Sequence, residues 1–212
     1  RPIDPREDVV VSPTDGALAA HGRIDGGTLI QAKGRTYALS ALLAEDGADE
    51  PFAEIFANGS YATMYLSPRD YHRVHMPVMG RITGITHISG DLFPVNLASV
   101  ETVDGLYARN ERVVVHATSS QFGRVAVVLV GATNVGRITL THCADIVTNT
   151  RAARTPPRRW TPTEPIALAA GAELAVFELG STVIVVTETP IEWFTPRSPV
   201  RMGMALGQRA RL

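Results

Sequence analysis

The sequence predicts a mainly β, α+β fold: a compact, β-rich single domain of antiparallel sheets with a few short helices. Three observations predict it. The apolar residues fall in short runs rich in valine and isoleucine, with partial alternation, and glycine or proline breaks them. The length of 212 residues favours one domain, spanning 1–212, with a substantial core. No apolar stretch approaches the roughly 20 residues that span a bilayer, Val125 to Ala132 being among the longest.

Taken in order, strands are expected at Val9–Ser12, Thr28–Gln31, Tyr61–Leu66 and Gly80–Ile88. More are expected at Val113–Thr118, Arg124–Val130, Arg137–Thr141, Ala175–Leu179 and Thr182–Thr187. Gly26-Gly27 reads as a hairpin turn. A helix is expected from Ser40 to about Glu45, with Ser40 as its cap, and a second over Pro51–Ala57. Arg151 to Pro165 is rich in proline and arginine and reads as an irregular loop.

Composition excludes some classes. Hydrophobic residues are 45% and charged residues 19%, a globular balance, and a net charge of −1 offers no basic field for nucleic acid. Cys143 is the single cysteine, so neither an internal disulfide nor a cysteine-built zinc site is expected. Lys33 is the single lysine, and Gln31 to Gly34 reads as a strand-to-turn corner; an internal lysine Schiff base at Lys33 is therefore set aside. The sequence begins at Arg1 rather than methionine and shows no signal-peptide pattern, so a trimmed chain with an N-terminal membrane element missing is expected.

Several strings carry candidate chemistry. Ser12-Pro13-Thr14-Asp15-Gly16 reads as a proline-led turn, or as the place from which Asp15 orients a histidine. Ser67-Pro68-Arg69-Asp70-Tyr71-His72-Arg73-Val74-His75-Met76-Pro77 is the densest polar stretch, and two histidines three apart are unusual in a structural strand. His-x-x-His is a weak zinc signal and no further ligand pair stands out, so no metal is expected. One of the pair suits a general base and the other a proton donor, since imidazole titrates near neutrality. Phe93 to Asn96 and Tyr107 to Arg112 read as a turn and a solvated corner. Val130-Gly131-Ala132-Thr133-Asn134-Val135-Gly136 lacks the third glycine and helix context of a dinucleotide loop. Glu178-Leu179-Gly180-Ser181-Thr182 sets a glycine carbonyl directly before a serine hydroxyl, ahead of the apolar run Val183–Val186.

The strings SPTDG, SPRDYHRVHMP, GDLFPVN, ARNERV, VGATNVG and ELGST, in this order and spacing, resemble the phosphatidylserine decarboxylase proenzyme family. The resemblance runs from about Arg1 to Val186, and YHRVH together with LGST is its most specific part. It is closest to the longer bacterial and mitochondrial form, which carries an N-terminal membrane-associating segment ahead of this starting point; that segment is expected to be absent here. Departures are small: Thr14 stands where alanine is usual, and Arg137 where serine is common.

The resemblance implies self-maturation followed by decarboxylation. Asp15, His75 and Ser181 correspond to the family's triad. Ser181 would attack the Gly180 carbonyl, giving an ester; elimination would leave a dehydroalanine, and hydrolysis a pyruvoyl group at 181. The products would be a β chain, 1–180, and an α chain, 181–212, which stay associated. That covalent pyruvoyl cofactor, derived from Ser181, would form a Schiff base with phosphatidylserine and accept the electrons released with carbon dioxide. Phosphatidylethanolamine would result, with His72 handling decarboxylation and protonation. The resemblance also implies a homodimer, peripheral on the cytoplasmic side of the cell membrane and acting at the membrane surface. Arg158, Arg159 and Trp160 suit such a surface and equally suit a solvated loop.

The alternative is a serine hydrolase that turns Asp15, His75 and Ser181 on an external ester, although Ser181 lacks a Gly-x-Ser-x-Gly elbow. A non-enzymatic β-sandwich would leave Asp15, His72 and His75 unexplained.

Overall fold

A computed structural model describes residues 1–32, 35–44, 52–133, 137–149, 155–178, 181–194 and 199–211. Lys33, Glu45, Pro51, Asn134, Val135, Gly136, Arg151, Leu179 and Gly180 lie outside these, with the expectations that fall on them.

The strands in chain order are β1 (Val9–Val11), β2 (Ala17–Arg23), β3 (Thr28–Ala32), β4 (Arg35–Ala38), β5 (Ser60–Tyr65), β6 (Arg73–His75), β7 (Gly80–Ile88) and β8 (Arg112–Ser119). They continue as β9 (Gly123–Val130), β10 (Ile138–Leu140), β11 (Arg158–Trp160), β12 (Ile166–Leu168), β13 (Glu173–Phe177), β14 (Thr182–Thr187), β15 (Ile191–Trp193) and β16 (Ala205–Arg209). Among the described residues, four short helices accompany them: α1 (Leu39–Leu43), α2 (Phe52–Ile55), α3 (Leu97–Thr102) and α4 (Leu106–Arg109). The fold is therefore β-rich with antiparallel sheets, as the sequence predicts.

One large antiparallel sheet runs in the order β11-β7-β8-β9-β14-β5-β2, with β12 also pairing β7. Smaller sheets are β1-β16-β15, β10-β13-β6 and β3-β4. The middle of the large sheet is made of the valine-rich runs. Val113–Val115, Val125–Val130 and Val183–Val186 are all buried, because a strand covered on both faces reads as continuously apolar rather than alternating. β14 pairs six residues with β5 on one side and six with β9 on the other. Thr182, its first residue, stands opposite Tyr65 and Val130.

The structure corrects three expectations. Ser40 lies inside α1; the N-cap is Ala38, which makes no side-chain cap bond. Arg158–Trp160, expected in an irregular loop, pairs with Thr86, His87 and Ile85 as an edge strand, so tertiary pairing overrides local composition. The expected solvated corner is buried: Asn110, Glu111 and Arg112 are 0%, 6% and 3% exposed. The Gly26-Gly27 turn is present, with φ of 54° and 75°, the two positive values that a type I′ turn requires.

Candidate active site

Ser181 sits where three strand ends meet. Its backbone carbonyl accepts from the Leu66 N–H at 2.7 Å, just past β5, and its hydroxyl donates to the carbonyl of Val130, the last residue of β9. It is completely buried. Gly180, the residue before it, lies outside the described residues.

Asp15 reaches the same strand end through its neighbour. Gly16 has φ +149°, and a Cβ there would come within 2.3 Å of the Tyr65 carbonyl oxygen. Glycine alone lets the 12–16 turn lie against β5. The turn is tied further by Ser12 Oγ donating to the Thr14 carbonyl at 2.7 Å. The Asp15 carboxylate accepts from Arg1 and, at 2.9 Å, from the Met202 N–H. Burial pushes its pKa up, but the Arg1 and Met202 hydrogen bonds and the charges of Arg1 and Arg201 outweigh it. The net shift is downward, so Asp15 is an anion near neutrality.

The polar stretch forms β6, with His72 directly before it and His75 as its last residue. The His75 N–H donates to the Pro13 carbonyl at 2.8 Å, and Thr14 Oγ1 donates to the Tyr71 carbonyl at 3.3 Å, so the Asp15 turn and β6 are bound by backbone. Buried His75 contacts the Gly171 carbonyl through Nδ1 at 2.8 Å and the Tyr71 hydroxyl through Nε2 at 3.0 Å. His72 donates from Nε2 to the Ser67 carbonyl at 3.2 Å. Its own carbonyl accepts from the Phe177 N–H at 2.9 Å, at the end of β13 and just upstream of Ser181.

Asp15, the pair His72 and His75, and Ser181 thus come from three separate stretches into one region. Their side chains make other bonds: Asp15 to Arg1 and Met202, His75 to Gly171 and Tyr71, Ser181 to Val130.

Sequence reasoning missed the bracing around Val130. Asn110 donates to the carbonyls of Phe93 and Gly131, both at 2.9 Å, and accepts from the Phe93 N–H at 3.0 Å. The Gly131 N–H donates to the Glu111 carbonyl at 2.8 Å. The Glu111 carboxylate meets His87 at 2.8 Å and accepts from the Asn149 N–H at 3.0 Å. Tyr71 was also passed over. The signal was there, since ARNER and YHRVH were both singled out, but a polar string reads as solvent-facing until its partners are known.

Comparison with known proteins shows the family. The family model described as phosphatidylserine decarboxylase matches residues 1–208. A protein of Anaeromyxobacter sp. strain K named phosphatidylserine decarboxylase proenzyme is 47% identical over 99% of this chain and 74% of its own length. Proteins of the same name from Bordetella avium and Brevibacillus brevis are 45% and 41% identical. These alignments cover 97% and 99% of this chain, and 69% and 74% of the respective relatives.

Proposed function

The chain belongs to the phosphatidylserine decarboxylase family, and on that premise we propose that it cuts itself between Gly180 and Ser181 and then converts phosphatidylserine to phosphatidylethanolamine. The observation that carries the self-cleavage is the placement of Ser181: fully buried, at the head of the central strand, with its hydroxyl held on a backbone carbonyl. In the uncut chain a buried hydroxyl meets its own neighbouring peptide before any external ester, and cutting that peptide frees the chain end at 181 to meet phosphatidylserine.

The Ser181 oxygen attacks the Gly180 carbonyl carbon as His75 removes the hydroxyl proton. The C–N bond then breaks, the proton passes to nitrogen, and an ester replaces the amide. Loss of the Cα proton expels the Gly180 carboxylate and leaves a dehydroalanine, which water converts to a keto group with release of ammonia. The chemistry balances with water as the sole co-reactant.

The residues present fit a pyruvoyl group at 181. It is no bulkier than the serine it replaces, and the next side chain, the buried Thr182 hydroxyl, interacts with the Tyr107 phenol, so a pair of uncharged hydroxyls sits at the head of β14. Once formed, that group supplies the electron acceptor for decarboxylation. His72, held by Ser67, moves the proton that replaces carbon dioxide. Tyr107, whose phenol burial pushes up to about 12, stays protonated and uncharged throughout.

The α and β chains remain together because β14 is paired on both sides by strands of the β chain. The assembly we propose is a homodimer, peripheral on the cytoplasmic side of the cell membrane. A denaturing gel and intact mass test the reading. Wild-type protein resolves into two pieces, the smaller with a blocked N-terminus, and decarboxylates phosphatidylserine until hydroxylamine traps its carbonyl. Ser181→Ala stays one inactive chain. Active wild-type protein in one unbroken piece would refute it.

A further inference from the structure

The base nitrogen of His75 has a partner outside the Asp15, His75 and Ser181 assignment. A carbonyl can only accept, so the 2.8 Å contact with Gly171 puts the proton of the neutral ring on Nδ1. Nε2 then carries the lone pair, and the Tyr71 hydroxyl, 3.0 Å away, donates to it. The two rings lie 15° from parallel with centroids 5.7 Å apart. The Arg1 guanidinium lies 4.5 Å from the Tyr71 ring centroid and donates to Asp15. Asp15, Arg1, Tyr71 and His75 therefore form one connected line.

We propose that Tyr71 is a positioning residue for self-cleavage: its hydroxyl and the Gly171 carbonyl hold His75 as the Nδ1–H tautomer, and Asp15 acts on His75 through Arg1 and Tyr71. The inference rests on the self-cleaving reading above. A base that takes the Ser181 proton at Nε2 needs its lone pair on that nitrogen and its ring fixed about two torsions; the Tyr71 hydroxyl holds both in the resting chain and turns aside as the Ser181 proton arrives. A single hydrogen bond leaves the ring free to swing, whereas two at opposite edges do not. The carboxylate of Asp15 bears on the ring through a cation and a phenol, because a backbone carbonyl occupies the Nδ1 edge where a directly bonded acid would sit.

Tyr71→Phe tests this, because it keeps the ring, the stack and the seat of Arg1 while removing one hydroxyl. Self-cleavage slows about tenfold, the size of one hydrogen bond, while the Tm stays within about 3 °C. In uncut Ser181→Ala protein, the imidazole 15N resonances of His75 report a single Nδ1–H tautomer. Adding Tyr71→Phe gives a mixture. Asp15→Asn and Tyr71→Phe combined slow cleavage less than the product of their separate effects, as members of one network do. An unchanged rate in Tyr71→Phe, an unchanged His75 spectrum, a loss explained by a large fall in Tm, or fully multiplicative losses would each overturn the proposal. Wild-type protein that never splits would refute the reading itself. Wild-type protein that splits no faster than Tyr71→Phe would refute this inference alone.

Discussion

At the residue scale, Ser181 and the two histidines are set apart by what holds them. His75 is buried and gripped at both ring nitrogens, while half-buried His72 has one weaker bond to Ser67. The two should therefore separate in function. His75→Ala blocks chain splitting on a denaturing gel. His72→Ala leaves splitting within about twofold of wild type and lowers decarboxylation by about a hundredfold, the worth of a proton-transfer group. Equal loss of both activities in His72→Ala would show that the roles are not divided. Asn110 acts one step further out. Its amide closes three hydrogen bonds around the corner that presents the Val130 carbonyl, and its loss strands three backbone groups, the Phe93 N–H and carbonyl and the buried Gly131 carbonyl. Asn110→Ala costs about 2–3 kcal/mol in urea unfolding and slows cleavage as well.

At the element scale, the site depends on two junctions. The 12–16 turn lies against the end of β5 because residue 16 has no side chain, at φ +149° and 2.3 Å from a fixed carbonyl oxygen. Gly16→Ala must move either the turn or β5, so it costs about 3 kcal/mol and delays cleavage. The second junction is Arg112 at the start of β8. Its guanidinium, 3% exposed at the residue level, donates to the carbonyls of Ala41 and Leu42 in α1, Ala108 in α4, and Asn110, at 2.6–2.9 Å. Burial pushes its pKa down to about 10, with Tyr37 opposing the shift, so it remains a cation at neutral pH. Four carbonyls around a planar fork cannot be served by an ammonium. Arg112→Lys therefore lowers stability by about 2 kcal/mol in chemical denaturation, charge unchanged.

At the scale of the whole molecule, acid acts through a group remote from the cut. Burial, reinforced by the charges of Arg159 and Arg124, pushes His116 from 6.5 down to about 4. The folded state holds it neutral while the unfolded chain binds a proton below about 6.5. Its contribution is complete above that pH and drains away as pH falls toward 4, a loss on the order of 3 kcal/mol. Urea midpoints measured at pH 7.5 and pH 5 should show the fall, and His116→Gln should flatten it. Asp15, shifted the opposite way from a buried acid, adds a second loss below its ordinary value of 3.8, once its carboxylate is protonated and leaves Arg1. Splitting should not part the molecule. Processed protein elutes as one species under native conditions while giving two bands when denatured, because β14 is hydrogen-bonded along both edges.

The sequence by itself determined the strands whose chemistry is local. Val113–Val115, Val125–Val130 and Val183–Val186 can hardly be anything but buried strands, and the double-glycine turn declares its own backbone. It also determined which strings belong together, because YHRVH and LGST are specific enough to name a family. The tertiary structure decided what has no local signature. β2, a weak run of alanine and glycine (Ala17–Arg23), becomes a strand because β5 offers it an edge. Arg158–Trp160 becomes one because β7 does. The fold likewise decided that ARNER faces inward, that Tyr71 and Gly171 hold His75, and that Asp15 is bound to Arg1. Each of these depends on a hydrogen-bond partner far away along the chain, and a buried polar group is defined by that partner rather than by its own neighbours in sequence.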